Sequence, residues 1–238
     1  MVGISGGIDS AVVSALCART GLYTIAVSMP IRQSKHTHDL SLRQGQWLVD
    51  NFEIVSHYTI DLTRAFEEFE TATRVFSDEL AYANSRSRLR MMTLYQLAQA
   101  NQGLVVGTGN RVEDFGVGFF TKYGDGGVDL SPIGDCMKTE VWDMGRELGI
   151  IQDILDAAPT DGLWDDGRTD EDQLGMTYPE LETAMRLDQW EREEAHLTEG
   201  LLTMSREEKS QLKRYRQIRS RNLHKMTPIP VCKMPVDQ

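Results

Sequence analysis

The opening decapeptide, M-V-G-I-S-G-G-I-D-S, constrains this 238-residue chain more than any other stretch. Val2 and Ile4 form a short apolar run that enters a small-residue loop, Ser5, Gly6 and Gly7, followed by Asp9 and Ser10. Ala11, Val12, Ala15, Leu16 and Ala18 then repeat with helical spacing up to Gly21. A strand, a glycine-rich loop and a helix N-terminus in that order make an anion site. Glycine lets the backbone approach, unpaired N–H groups point outward, and the helix dipole favours negative charge. Asp9 would repel a phosphate unless a divalent cation lay between them, so its presence points to Mg²⁺. The same residue types also serve as a tight turn and an N-cap. No G-x-x-x-x-G-K-[ST] string occurs in the chain.

Beyond the first helix, Leu22–Ser28 reads as a buried strand and Asp39–Phe52 as a helix. Glu53–Ile60 alternates as a third strand. Leu62, Ala65, Phe66, Phe69, Thr73 and Phe76 share a helical period. Asn84–Asn101 is a strongly periodic helix stopped at Gly103, and Leu104–Gly107 reads as a fourth strand. Strands separated by helices imply right-handed crossovers and an α/β fold, a doubly wound parallel sheet whose ligands sit at the carboxyl ends of the strands. Ser5–Ser10, Met29–Gln33 and Thr108–Glu113 all follow strands, so they converge on one crevice. Phe115–Asp135 is a long Gly-rich, aromatic loop, a kind that is usually functional when ordered. Lys138–Leu148 is helical. Asp161–Asp172 is acidic and turn-rich, read as a lid or exposed loop. Tyr178–Trp190 and Arg206–Arg219 are charged helices, and Met226–Pro235 is an extended tail. A composition shift near Asp161 divides a core, 1–160, from a helical appendage with its tail, 161–238.

The net charge of −11 argues against a broad nucleic-acid or anionic-membrane surface. Cys17, Cys136 and Cys232 are widely spaced and form no C-x-x-C pair, which fits reduced thiols in a cytoplasmic protein without zinc. No apolar run reaches membrane-spanning length, and no leader is expected. Trp47, Phe66, Phe69, Trp142, Met91 and Met92 are expected in the core.

Several strings occur in order: G-I-S-G-G-I-D-S (Gly3–Ser10), N-S-R-S-R-L-R-M (Asn84–Met91), G-T-G-N-R-V-E (Gly107–Glu113), T-K-Y-G-D-G-G-V-D (Thr121–Asp129), A-P-T (Ala158–Thr160), D-E-D-Q-L-G-M-T-Y (Asp170–Tyr178) and H-K (His224–Lys225). The first matches the pyrophosphate loop S-G-G-x-D-S of the ATP pyrophosphatases. The whole set resembles the ammonia-dependent NAD⁺ synthetases of that superfamily over nearly the whole chain. S-G-G-x-D-S is shared with GMP and argininosuccinate synthetases and tRNA-modifying relatives, whereas T-K-Y-G-D-G-G-x-D is far more specific. An enzyme adenylating tRNA would want a basic surface, which the charge balance opposes.

The resemblance implies that ATP activates the nicotinate carboxylate of deamido-NAD⁺ as an adenylate, with release of pyrophosphate, and that ammonia then displaces AMP. It assigns Gly3, Ile4, Ser5, Gly6, Gly7, Ile8, Asp9 and Ser10 to ATP, with Thr108, Lys138, Thr160 and Gln33. Asp9 and Glu113 would hold Mg²⁺. Arg88, Lys122, Asp129, His224 and Lys225 would bind deamido-NAD⁺. Asp129 would orient ammonium, and Lys138 would offset charge building on the α-phosphate. Relatives carry an amino-terminal helix that contributes to a homodimer; this chain opens on its first strand, and the dimer remains the expectation. Free ammonia is the expected nitrogen donor.

Overall fold

The computed structural model describes residues 1–160, 162, 168–193 and 204–234. Its sheet is parallel, with β1 (Val2–Gly3), β2 (Thr24–Ser28) and β3 (Val55–Thr59) as neighbours in that order. All five residues of β2 are buried because both faces of the sheet are covered. Ala26 faces α1 (Ile8–Arg19) and α2 (Lys35–Asn51), in a core shared with Val12, Leu40 and Leu48. Ile25 and Val27 face the other way, onto Phe66 of α3 (Thr63–Thr73) and Leu94 and Leu97 of α4 (Glu79–Ala100). This two-sided packing is the α/β, doubly wound arrangement expected from the alternation of elements. β3 is an edge strand, with Tyr58 half exposed.

The expected fourth strand, Leu104–Gly107, is reduced to bridge residues. Val106 pairs in parallel with Val2 on one side and with Leu130 on the other. Val106 N donates to Met1 O at 2.8 Å and Gly107 N to Leu130 O at 2.8 Å. The segment extends the sheet hydrogen bonding without the length of a strand, because glycines bound it at Gly103 and Gly107. The long Gly-rich segment, read as non-repetitive, carries some regular structure. A π-helical turn, Arg111–Val117, fills the start of it, and Leu130 adds a fifth row to the sheet. α4 begins at Glu79, earlier than its periodicity suggests, because Asp78 caps it by accepting from Ala81 N.

After α5 (Lys138–Leu148), α6 (Gln152–Leu155) and α7 (Asp170–Leu174), a helical pair closes the fold: α8 (Tyr178–Glu193) and α9 (Arg206–Met226). α8 and α9 share a second core with Val112, Val117 and Met137. α9 extends beyond the expected Arg219, so His224 and Lys225 lie in its last turn, just before the non-helical tail. Half of the expected lid, Asp161–Asp172, lies outside the described residues; its end, Thr169–Asp172, is the capping box of α7. Phe66 is fully buried as expected, but Phe69 and Met92 are 44% and 59% exposed, since they lie on faces of α3 and α4 that no other described element covers. Among the described residues, no helix is long and apolar enough to cross a membrane.

A polar chain ties α2 to the carboxyl ends of β1 and β2. Ser41 Oγ donates to Ile4 O at 2.9 Å, so the 2.5 Å contact between Ser28 and Ser41 must use the Ser28 proton. His57 Nε2–H then donates to Ser28 Oγ at 2.9 Å, and burial holds the His57 pKa below its ordinary value. The imidazole lies against Gly45, where an added Cβ would stand 2.3 Å from the ring. Gly45→Ala in a helix gains about 1 kcal/mol of propensity. Overpacking against a ring tied to Ser28 costs about 1–3 kcal/mol, which is the larger effect. Denaturant unfolding should therefore show Gly45→Ala less stable than wild type. In a His57→Ala background the same substitution should become stabilising. A stabilising Gly45→Ala in the intact protein would contradict this packing.

Candidate active site

α1 follows β1 after a short loop, and its N-cap residue, Gly7, has no side chain to satisfy the first-turn N–H groups. α2, α4 and α9 are capped by Ser34, Asp78 and Ser205. The α1 terminus therefore opens uncapped into a cleft of about 620 Å³ at the carboxyl ends of the strands. Gly6 adopts φ +91°, and a Cβ there would come within 2.7 Å of Thr37 O, so the turn requires glycine. Ser5 and Ser10 stitch the loop together. Ser10 Oγ donates to Gly7 O at 3.0 Å and accepts from Ser5 N at 3.1 Å.

Across the cleft, three sequence-distant charges meet. Lys138 Nζ, at the first turn of α5, lies 2.5 Å from Asp9 Oδ2 and 2.9 Å from Glu113 Oε1. Its side chain is only 2% exposed. Burial alone would lower the lysine pKa, but the two carboxylates outweigh it and hold it well above its ordinary value. Burial pushes Asp9 upward despite the lysine, with Glu113 adding to the rise. For Glu113, burial works upward, but Lys138 and the Tyr178 hydroxyl prevail and hold its pKa below the ordinary value.

Two residues outside the sequence expectations brace this cluster. Asn110 caps the π-helical turn, its Oδ1 accepting from Val112 N and Glu113 N at 3.0 Å each, while its Nδ2 donates to Asp9 Oδ1 at 3.0 Å. Tyr178, fully buried at the start of α8, places its hydroxyl 2.5 Å from Glu113 Oε1 and 3.1 Å from Asp170 Oδ2. The ring of Tyr178 also lies 4.9 Å from Lys138 Nζ. Asn110 was readable as a cap before a short helical turn. Nothing local to Tyr178 signals a contact to a residue 65 positions away.

Further carboxylates line the same cleft. Burial, then Asp125, Glu113 and Asp9, pushes the pKa of Asp114 up to about 8. Burial also raises Asp125, whose Oδ1 accepts from Ser87 Oγ at 2.7 Å and from Thr121 N at 2.9 Å. Such an acidic wall calls for cationic ligands or for a metal-bound polyanion.

The cleft is lined by Gly3–Ser10, Gln33, Thr108, Glu113, Lys138, Thr160 and Lys225, so the structure brings these expected residues together. Thr160 Oγ1 is also engaged in its own turn, donating to Arg168 O at 3.3 Å. Arg88, Lys122 and His224 form a separate chain and are not among the lining residues. Arg88 Nε donates to Lys122 O at 3.3 Å, and Lys122 Nζ donates to His224 O at 2.6 Å. Lys225 Nζ donates to Gly118 O and Phe120 O at 2.9 and 2.8 Å. The Asp129 carboxylate is turned onto Val105 N at 2.8 Å and receives the Tyr95 hydroxyl at 3.0 Å. Asp125, which the sequence reading passed over, lines the cleft; Asp129 does not.

Comparison with known proteins gives a consistent picture. The family model described as NAD synthase matches residues 1–229. The NH(3)-dependent NAD(+) synthetase of Mesoplasma florum is 42% identical over 187 residues, 76% of this chain and 73% of the relative. Its namesake from Carboxydothermus hydrogenoformans is 38% identical over 187 residues, 76% of this chain and 74% of the relative. Among solved structures, the NMN synthetase of Francisella tularensis is 35% identical, with a TM-score of 0.83 over 98% of this chain and 88% of that one. The NH3-dependent NAD synthetase of Campylobacter jejuni, 22% identical, shares the fold with a TM-score of 0.75 over 98% of this chain and 88% of that one. A pyrophosphate-type loop facing a buried lysine and two carboxylates thus agrees with sequence similarity along nearly the whole length, and the chain belongs to the NAD synthase family.

Proposed function

We propose that this chain is an ATP-dependent amide ligase that converts deamido-NAD⁺ and ammonia to NAD⁺, with AMP and pyrophosphate as by-products. The observation that carries the reading is the Asp9–Lys138–Glu113 cluster beside the uncapped N-terminus of α1. A triphosphate on that terminus would put its negative charge against the first-turn N–H groups and Lys138. Mg²⁺ fits the donor set. Asp9 and Glu113 offer hard oxygens that already share one cation, the Lys138 ammonium, and Mg²⁺ commonly takes one or two carboxylates with phosphate and water completing its shell. When bound, it would neutralise the phosphates and make the α-phosphorus easier to attack. Lys138, released from one carboxylate, would reach the phosphate oxygens.

In the first step a nicotinate carboxylate oxygen bonds to the α-phosphorus, the bond to the bridging oxygen breaks, and pyrophosphate leaves. In the second, ammonia attacks the activated carbonyl carbon, AMP leaves, and the extra proton passes to a base. We assign ammonium orientation to Asp125 in preference to Asp129, because Asp125 lines the cleft and the Asp129 carboxylate is committed to Val105 and Tyr95. Arg88, Lys122, His224 and Lys225 would receive the nucleotide part of the acid at the outer rim. Val75, Phe76 and Leu80, 81%, 85% and 58% exposed, supply an apolar face for a homodimer. The free thiols of Cys17, Cys136 and Cys232 suit a cytoplasmic setting.

A second reading concerns the acid itself. The Francisella tularensis relative named NMN synthetase supports nicotinate mononucleotide as the acceptor. Purified protein with ATP, Mg²⁺ and ammonium, given deamido-NAD⁺ or nicotinate mononucleotide separately, tests both. Deamido-NAD⁺ should give the higher kcat/KM, with stoichiometric AMP and pyrophosphate. A preference for the mononucleotide would install the second reading, and no amide from either acid would reject both. Asp9→Asn should lower acid-dependent pyrophosphate release by about a hundredfold or more, as expected for loss of an anchor at the developing charge. Near-normal release would remove Asp9 from the cluster's function. Asp125→Asn should raise the ammonium KM by about tenfold or more, the scale of one lost charged hydrogen bond of about 1.5–3 kcal/mol. Asp129→Asn should instead lower the thermal midpoint and leave the ammonium KM nearly unchanged. The opposite pattern would return the ammonium role to Asp129.

A further inference from the structure

Lys138 reaches the cluster from the first turn of α5, and that turn is poorly capped by its own residues. The N-cap residue, Met137, carries a thioether, a weak acceptor in place of the usual hydroxyl or carboxylate. Glu140 turns back to accept from Met137 N at 2.7 Å, which serves the N-cap N–H but not the N–H groups that follow. A strong acceptor comes instead from another helix. Glu182, on α8, is only 3% exposed. Its Oε1 accepts from Thr139 N at 3.0 Å, and its Oε2 accepts from Thr139 Oγ1 at 2.9 Å. Thr139 is the residue directly after Lys138.

Burying a carboxylate is costly unless a partner compensates. Here the partner is the positive end of α5, through the N–H and the hydroxyl of its second residue. The same face of α8 carries Tyr178, four residues earlier, whose hydroxyl holds Glu113 Oε1. One helix face therefore grips both members of the Lys138–Glu113 ion pair, the anion directly and the cation through its chain neighbour. The lysine itself has little room to compensate for a shift of its backbone. Its side chain is 2% exposed, and Nζ lies 5.9 Å from the ring of Trp142 and 4.9 Å from that of Tyr178. The ammonium must move with the turn that carries it.

We infer that Glu182 is a positioning residue for Lys138: by holding Thr139 from α8, it fixes the start of α5 at the depth where the ammonium meets Asp9, Glu113 and the reacting phosphate. An error of about 1 Å at a reacting centre costs up to about a hundredfold in rate. An ammonium that offsets developing charge acts more in the transition state than in the ground state, so its misplacement lowers kcat and leaves KM nearly unchanged. This inference rests on the ligase reading above.

The test is pyrophosphate release with the preferred acid, with kcat expressed per ATP-binding equivalent from calorimetry in Mg²⁺ and rates taken well below each thermal midpoint. Glu182→Ala should lower kcat by about tenfold or more and leave the ATP KM within about twofold of wild type. Glu182→Gln keeps the geometry without the charge: its amide oxygen accepts from Thr139 N, and its amide nitrogen donates to Thr139 Oγ1. Its kcat should stay within about threefold of wild type. Thr139→Val keeps the backbone bond and loses the hydroxyl, so kcat should fall by about twofold or more, again at constant KM. Wild-type kcat per site in Glu182→Ala overturns the inference and leaves Glu182 a stabilising contact; if that variant fails to fold, wild-type kcat in Thr139→Val does the same. A change confined to the ATP KM overturns it too. So does a loss in Glu182→Gln as deep as in Glu182→Ala, because charge and not position would then be the cause. All three results leave the ligase reading intact, whereas wild-type protein that releases no pyrophosphate removes both.

Discussion

The structure depends on one shared cation. Lys138 Nζ stands between Asp9 Oδ2 and Glu113 Oε1, and each of these groups arrives on a different element. Asp9 comes with the start of α1, Glu113 with the π-helical turn, and Lys138 with the start of α5, 129 residues from Asp9. Two carboxylates so close and so little exposed would repel each other and lose hydration if nothing intervened. With the ammonium between them, each buried charge has a partner. Removing one member of such an arrangement strands the others, typically at about 3–5 kcal/mol. The cluster therefore fixes α5 and the turn after Val106 against α1, in addition to any chemistry it performs.

The same cluster explains why an acidic site can receive a polyanion. Asp9, Glu113, Asp114 and Asp125 all line one cleft, and the pKa of Asp114 is lifted to about 8 by burial and by the other three. Such a wall rejects a bare phosphate. On the proposed reading it would accept one that arrives with its own divalent cation, with Lys138 exchanging a carboxylate partner for a phosphate partner. The helix terminus alone, worth a fraction of an elementary charge, is too weak to overcome several carboxylates. On the proposed reading, Lys138 and the carried metal ion would share that work.

The fold was legible where local pattern and tertiary context agree. β2 and α5 lie close to where periodicity puts them, because β2 is buried on both faces and α5 packs Val141, Trp142 and Leu148 into the first core. Leu104–Gly107 has the composition of a strand, yet its sheet contacts depend on Leu130 arriving from a distant loop, and no local pattern announces that. The exposure of Met92 and Phe69 was hidden for a related reason: periodicity reports that a residue is apolar, and not whether this chain covers it. At the site, Ser5–Ser10 was readable because loop, glycine and helix start are contiguous. Asp125 and Asp129 were harder to separate. They sit in one Gly-rich string with the same charge, and only the backbone path decides that one faces the cleft while the other caps Val105 N.

Tyr178 shows why the carboxyl-terminal helices belong to the chemistry as well as to the packing. Its ring is buried against Trp142 in the second core, while its hydroxyl reaches Glu113 at 2.5 Å and Asp170 at 3.1 Å. One hydroxyl has a single proton, so it can donate to only one of these carboxylates at a time. Glu113 has the shorter contact and a depressed pKa, which identifies it as the ionised acceptor. Tyr178 and Lys138 both hold Oε1, and the Asn110 side chain adds a further hydrogen bond to the carboxylate, so its orientation is fixed. α8 thus helps fix how Glu113 faces the cleft, and a shift of the helical pair would be transmitted to the site through the rigid Tyr178 side chain.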